Sequence, residues 1–170
     1  MTTIVQQLEQ EAFDFCITVP PLHKPGIASI SLLTEDIVLA LPLGYRLAER
    51  TSICLTEVAD AAFLSLKRGH SLRDLTDAFC LQAGFTPKIV FESDDPSTVR
   101  GLIRAGQGIA FVPAISWRGS NGPAVAQVQI EEPVCQRTIG LSWLEHRYLS
   151  VATRQFREFV MDYFARLCLE

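Results

Sequence analysis

Residues 62–113 alternate between short apolar runs and amphipathic stretches, and this alternation narrows the fold more than any other feature of the chain. Ala62-Phe63-Leu64-Ser65-Leu66 reads as a strand. Gly69-His70-Ser71 opens a helix expected to run to about Ala83, with Leu72, Leu75 and Phe79 at helical spacing. Ser71 with Asp74 fits an S-x-x-D cap, and Gly84 stands where a helix end favours glycine. Lys88-Ile89-Val90-Phe91-Glu92-Ser93 is the next strand. Asp94-Asp95-Pro96 caps a second helix, because carboxylates suit its positive end and proline is tolerated in the first turn. Val99, Leu102 and Ile103 form its apolar face, and Gly106 closes it. Gly108-Ile109-Ala110-Phe111-Val112 is a third strand, stopped by Pro113. Two strand–helix–strand crossovers in succession imply parallel strands with right-handed connections.

The flanks are less regular. Residues 3–10 look like the end of a helix, and residues 13–19 like a buried strand stopped by Pro20-Pro21. Residues 29–33 lead into a strand over 36–41, ended by Pro42. Residues 56–59 suit a short helical turn, and Ser120-Asn121-Gly122-Pro123 a tight turn. Strands are expected over 125–130 and 138–143, separated by Glu131-Glu132-Pro133. A helix over 150–167 places Phe156, Val160 (or Phe159) and Phe164 on an apolar side.

Composition excludes several classes. The hydrophobic share of 48% supports a sizeable core. No apolar run approaches the roughly 20 residues that span a bilayer, and the first residues lack the basic-then-apolar pattern of a secretory signal. The net charge of -4, with Lys and Arg scattered, argues against direct nucleic-acid binding by this chain. Five cysteines, an odd number with no C-x-x-C spacing, read as buried apolar residues in a reducing cytoplasm. The three histidines, His23, His70 and His146, lack metal-ligand spacing. Neither metal nor cofactor is implied, and no G-x-S-x-G, H-E-x-x-H or phosphate loop points to an enzyme.

In open α/β sheets, ligands bind beyond the carboxyl ends of the parallel strands. Helix N-termini there offer unpaired N–H groups to a small anion. This marks Gly69-His70-Ser71, the stretch from Asp94 to Thr98, Pro113, and Thr18 and Val19 at the end of the early strand. Plainer readings stand beside these. Ser71 and the two aspartates are good caps without any ligand, His70 suits an exposed loop, and Thr18 an interior strand position. The aspartates would also compete with an anionic ligand.

The order and spelling of these segments resemble the effector-binding domain of LysR-type transcriptional regulators. "STVRGLIRAGQGIAFVP" is the most specific tract. "FDFCITVPP", "SLLTEDIVLALPLGYRLAER" and "RTIGLSWLEHRYLSVATRQFREFV" extend the likeness over almost the whole chain. The resemblance implies an α/β fold of two Rossmann-like lobes of periplasmic-binding-protein type, with an effector between them. Carried over by position, the effector-binding candidates are Thr18, Val19, Ser71, Ser93, Asp94, Thr98 and Pro113. Lobe I would comprise 1–50 and 135–170, and lobe II 51–134, with a hinge near 42–50 and a return near 128–137. The family's N-terminal helix-turn-helix, linker helix and first strands have no counterpart here, so the first lobe would be incomplete. A homo-oligomer is expected, with DNA reached only through the missing domain and a small-molecule effector, a carboxylate among the options, as ligand. A shortened dimerisation or interaction module without a working pocket is the alternative.

Overall fold

The computed structural model describes residues 2–118 and 125–167. The expected turn at 120–123 and Cys168 lie outside the described residues. The chain divides into two compact units, residues 1–34 with 137–170, and residues 35–136. The first boundary falls within the strand of residues 27–42, upstream of the lobe boundary expected after residue 50, and the second lies two residues beyond the one expected after 134.

The second unit is the α/β unit. Its elements are β3 (Ser52–Cys54), a 3-10 turn (Leu55–Val58), β4 (Ala62–Leu66), α2 (Ser71–Gln82), β5 (Lys88–Ser93), α3 (Pro96–Arg104), β6 (Ala110–Pro113), α4 (Ala114–Arg118) and β7 (Val125–Glu132). The strands β4 and β5 pair in parallel, with Leu66 opposite Ser93. Ile109, just before β6, bridges Phe63 in parallel. Gly108 permits that approach, since a Cβ there would lie 2.6 Å from the Ala62 carbonyl oxygen. The remaining strand is β2 (Ile27–Pro42), which enters from the first unit and pairs antiparallel with β6 and β7. Alternation along β2 serves both faces. Ile37, Leu39 and Leu41 join Phe79 and Cys80 of α2 in one apolar cluster. Val38 and Ala40 join Val99 and Ile103 of α3 in another. A helix thus covers each side of the sheet, as crossover connections require. Burying Val99 and Ile103 contributes about 1.5–3 kcal/mol each.

The first unit holds α1 (Thr2–Glu9), β1 (Phe15–Thr18), the first part of β2, β8 (Gln136–Leu144) and α5 (Val151–Leu167). Strand β1 lies antiparallel to β8, with Phe15 opposite Trp143 and Thr18 opposite Gly140. Leu8 of α1 packs with Leu22 and Ile27, and Val160 of α5 packs with Leu32 and Leu141. The segment after β1 crosses tightly over β8. A Cβ on Gly140 would stand 2.4 Å from the Pro21 side chain. The Leu22 N–H donates to Ser142 Oγ at 3.3 Å, and the Ser29 hydroxyl donates to the Leu22 carbonyl at 2.5 Å.

Three expectations need correction. The strand expected over 36–41 begins earlier and takes in the segment 29–33 that leads into it, as one strand of 16 residues. The polar side chains of Thr34, Glu35 and Asp36 within it each have a partner in their own unit. The early strand is not buried throughout, because Ile17 is half-exposed. On α5, Val160 is buried, whereas Phe156 and Phe159 are 53% and 61% exposed. Phe156 instead stacks on Phe15 at 5.6 Å.

Candidate functional site

The parallel strands β4, β5 and β6 end at Leu66, Ser93 and Pro113 on one edge of the second unit. Five of the seven candidates stand there: Ser71, Ser93, Asp94, Thr98 and Pro113. Thr18 and Val19 belong to the first unit. Thr18 is buried and its hydroxyl donates to the Pro20 carbonyl at 2.9 Å, so its one proton is already committed. Val19 is half-buried and precedes a cis proline.

The edge carries two helix N-termini, and the chain treats them differently. At α3, Asp95 is the N-cap. Its carboxylate accepts from the N–H groups of Ser97 and Thr98 at 3.0 and 3.1 Å and from both their hydroxyls. The hydroxyl and N–H of Ser97 and the hydroxyl of Thr98 hold the Asp95 carboxyl well below the usual carboxylate range, at about 2. Ser93 completes this loop by accepting from the Asp95 N–H at 3.0 Å. The Thr98 hydroxyl, a candidate ligand donor, is therefore engaged within its own cap.

At α2 the cap residue is His70, and no side chain accepts a hydrogen bond there. The expected Ser71 cap is corrected by one position: Ser71 is the first helical residue and exposed. The S-x-x-D pattern misleads because the backbone carbonyl of His70, not a hydroxyl, meets the N–H groups of Arg73 and Asp74. Around this open end stand Lys67 and His70. Asp94 joins them, hydrogen-bonded to Lys67 Nζ and 3.5 Å from His70 Nε2. The Lys67 ammonium, with His70 behind it, lowers the Asp94 pKa. Asp94 raises that of Lys67 in turn. All three side chains are exposed, so the cluster is within reach of solutes.

Arg73 fixes this corner from below. It is 4% exposed. Its Nε donates to Asp77 at 2.8 Å, and its Nη1 donates to the Leu66 carbonyl at 3.1 Å and to Glu92. One side chain therefore ties the first turn of α2 to the ends of β4 and β5. Sequence reasoning missed it, because an arginine between Leu72 and Asp74 reads as solvent-facing. Asp77, one turn further along α2, was the available signal. Pro113, the last candidate, is buried at the end of β6 opposite Ile37.

Three of the described cysteines are shielded to differing degrees by burial. Burial pushes the thiols of Cys80 and Cys135 up to about 12 and also raises that of Cys16. No group of three or more His, Cys, Asp or Glu suited to a metal occurs among the described residues. No described helix is long and apolar enough to cross a membrane.

Comparison with known proteins adds a family match. The family model described as LysR substrate binding domain matches residues 1–165. An uncharacterized HTH-type transcriptional regulator, YybE of Bacillus subtilis, is 30% identical over 162 residues, covering 95% of this chain and 55% of the relative. The hydrogen peroxide-inducible genes activator of Pectobacterium carotovorum is 28% identical over 170 residues, covering 96% and 56%. The chain thus spans about half the length of the curated relatives it matches. Among solved structures, the effector binding domain of QuiR in complex with shikimate superposes with a TM-score of 0.82 at 27% identity, covering 98% of this chain and 78% of that one. The mixed α/β, periplasmic-binding-like fold expected from the sequence is the fold found.

Proposed function

We infer the function of this chain from its family: it belongs to the LysR substrate binding domain family. On that premise it is the effector-sensing module of a transcriptional regulator, and it reports a small molecule by shifting between states that bind the molecule unequally. The reading of the strand-end edge of the second unit, where Ser71, Ser93, Asp94, Thr98 and Pro113 stand, as the place where an effector binds belongs to this proposal. The same is true of a cytoplasmic setting, a homo-oligomeric state, a non-catalytic role and DNA contact through a separate domain.

The observation that carries the reading is the uncapped N-terminus of α2 beside Lys67 and His70. Unpaired N–H groups and the helix dipole favour an anion, and the Lys67 ammonium and the His70 imidazole flank it. A small carboxylate fits this end, with the shikimate of the QuiR complex as the first probe. The capped α3 end, already holding the Asp95 carboxylate, has no such vacancy for an anion. A thermal-shift titration of the chain with shikimate and other small hydroxy carboxylates tests the reading. A dose-dependent rise in melting temperature is expected, because a ligand of the folded state stabilises it by mass action. A flat response from every carboxylate, with cooperative melting intact, would favour an interaction module, for which the exposed Phe156, Phe159 and Tyr163 of α5 speak.

A further inference from the structure

We propose that Glu35 is a positioning residue that ties the place where β2 passes between the two units to the β6–α4 corner of the ligand edge. Glu35 lies inside β2 and is only 3% exposed. A carboxylate withdrawn from water is costly unless hydrogen-bonded, and an apolar residue would serve a strand interior better. The structure shows what the carboxylate holds. The Ile115 N–H donates to Glu35 Oε2 at 3.1 Å across 80 positions of sequence. Ile115 is the second residue of α4, so its N–H is among those a helix start leaves without an internal partner. The helix α4 directly follows Pro113, a residue of the candidate edge, and carries Trp117, over which the Arg100 guanidinium sits at 4.2 Å.

The other end of the tie is equally specific. Glu35 is the first residue of the second unit, and the chain returns to the first unit after Gln136. Its neighbours on β2 are fixed at this crossing. Thr34 and Thr138 share a hydroxyl hydrogen bond of 3.0 Å, and Gln136 Nε2 donates to Asp36 Oδ1 at 2.9 Å. The Ile37 N–H donates to the Cys135 carbonyl at 2.8 Å. With residues on both sides of it held, the direction of β2 at the crossing sets where the Glu35 carboxylate points. A change of backbone direction there is delivered to the start of α4. The sensory meaning of this tie rests on the effector reading above, whereas the tie itself is tested without any ligand.

The test is amide hydrogen exchange on the whole chain and three variants. In Glu35→Ala, Ile115 should exchange about tenfold faster or more, as loss of a hydrogen bond to a charged group implies. Glu35→Gln, whose amide oxygen still accepts, should restore Ile115 to within about threefold of the parent. In the double variant Gln136→Ala/Thr138→Val, which loosens the crossing and leaves Glu35 intact, Ile115 should also exchange faster, by about threefold or more. Unchanged Ile115 exchange in the double variant would overturn the proposal. So would a Gln variant as fast as the Ala variant, or acceleration shared evenly by all of α2 and α3, which marks a global loss of stability. If Glu35→Ala does not fold, the Gln and double variants decide alone. Failure of shikimate to bind would count against the effector reading and leave this result untouched.

Discussion

The helices α2 and α3 start on the same edge of the same sheet, yet only one of them is closed. Helix α3 carries its own anion: Asp95 meets two N–H groups and two hydroxyls, and these hydrogen bonds hold its carboxyl well below the usual carboxylate range. Helix α2 carries a histidine at the equivalent place and no side-chain cap. Its nearby carboxylate, Asp94, belongs to the other loop and is paired with Lys67 and His70. A helix end satisfied within its own sequence is a structural feature. One without a side-chain cap, beside Lys67 and His70, is where the proposed effector would be met. The difference teaches that carboxylates beside a cleft need to be sorted by what they already hold before they are counted for or against an anionic ligand.

The largest expected effect attacks the support under the open end. Arg73→Met would leave Asp77 and Glu92 without their common partner. Because both carboxylates are partly exposed, the loss should be about 2 kcal/mol, below that of a fully buried pair. Urea denaturation measures it, and a loss under a few tenths would mean that the corner is not held by Arg73.

A smaller effect sharpens the role of Asp94. If it occupies cations that an effector uses, Asp94→Asn should tighten shikimate binding by about threefold to tenfold, and Lys67→Ala should weaken it by a similar factor. Calorimetric titration reads both, and weaker binding in Asp94→Asn would instead make Asp94 a ligand contact.

The closed end should respond in stability alone. Asp95→Ala is expected to lower the melting temperature by about 2–4 °C and to leave shikimate binding unaltered. The pH dependence follows from the depressed Asp95 pKa. Its contribution is fully present above the unfolded carboxylate range, near about 4, and disappears as pH falls toward the folded value of about 2. Melting curves between these limits should therefore fall more steeply for the parent than for Asp95→Ala. The smallest effect concerns the thiols. With Cys80 and Cys135 pushed to about 12, neither offers appreciable thiolate at neutral pH. Peroxide should leave both unmodified in the folded chain, as mass spectrometry would show. Rapid oxidation at either would bring this chain closer to a thiol sensor.

Much of the second unit was legible because its signals are local. Strands at 62–66 and 88–93 end where apolar runs end, and both helix stops coincide with glycines of positive φ, Gly84 and Gly106. The parallel pairing followed from the order of elements. What escaped depends on partners distant in sequence. Glu35 falls just before the strand expected at 36–41, yet it is buried inside β2 and accepts a hydrogen bond from the Ile115 N–H. Arg73 reads as surface and is buried because Leu66 and Glu92 receive it. Ser71 and His70 exchanged roles because a one-residue shift in helix start leaves the sequence pattern almost equally good. The aromatic face of α5 has the periodicity of a buried stripe, but periodicity does not say whether a partner surface is present.

The central claim is that the open N-terminus of α2 takes the anion and the closed one of α3 does not. His70→Asp tests it most directly, since it gives α2 the kind of cap that α3 already has. The account predicts a more stable chain, by about 1 kcal/mol, that has lost shikimate binding by tenfold or more. Undiminished binding in a chain so stabilised would contradict it.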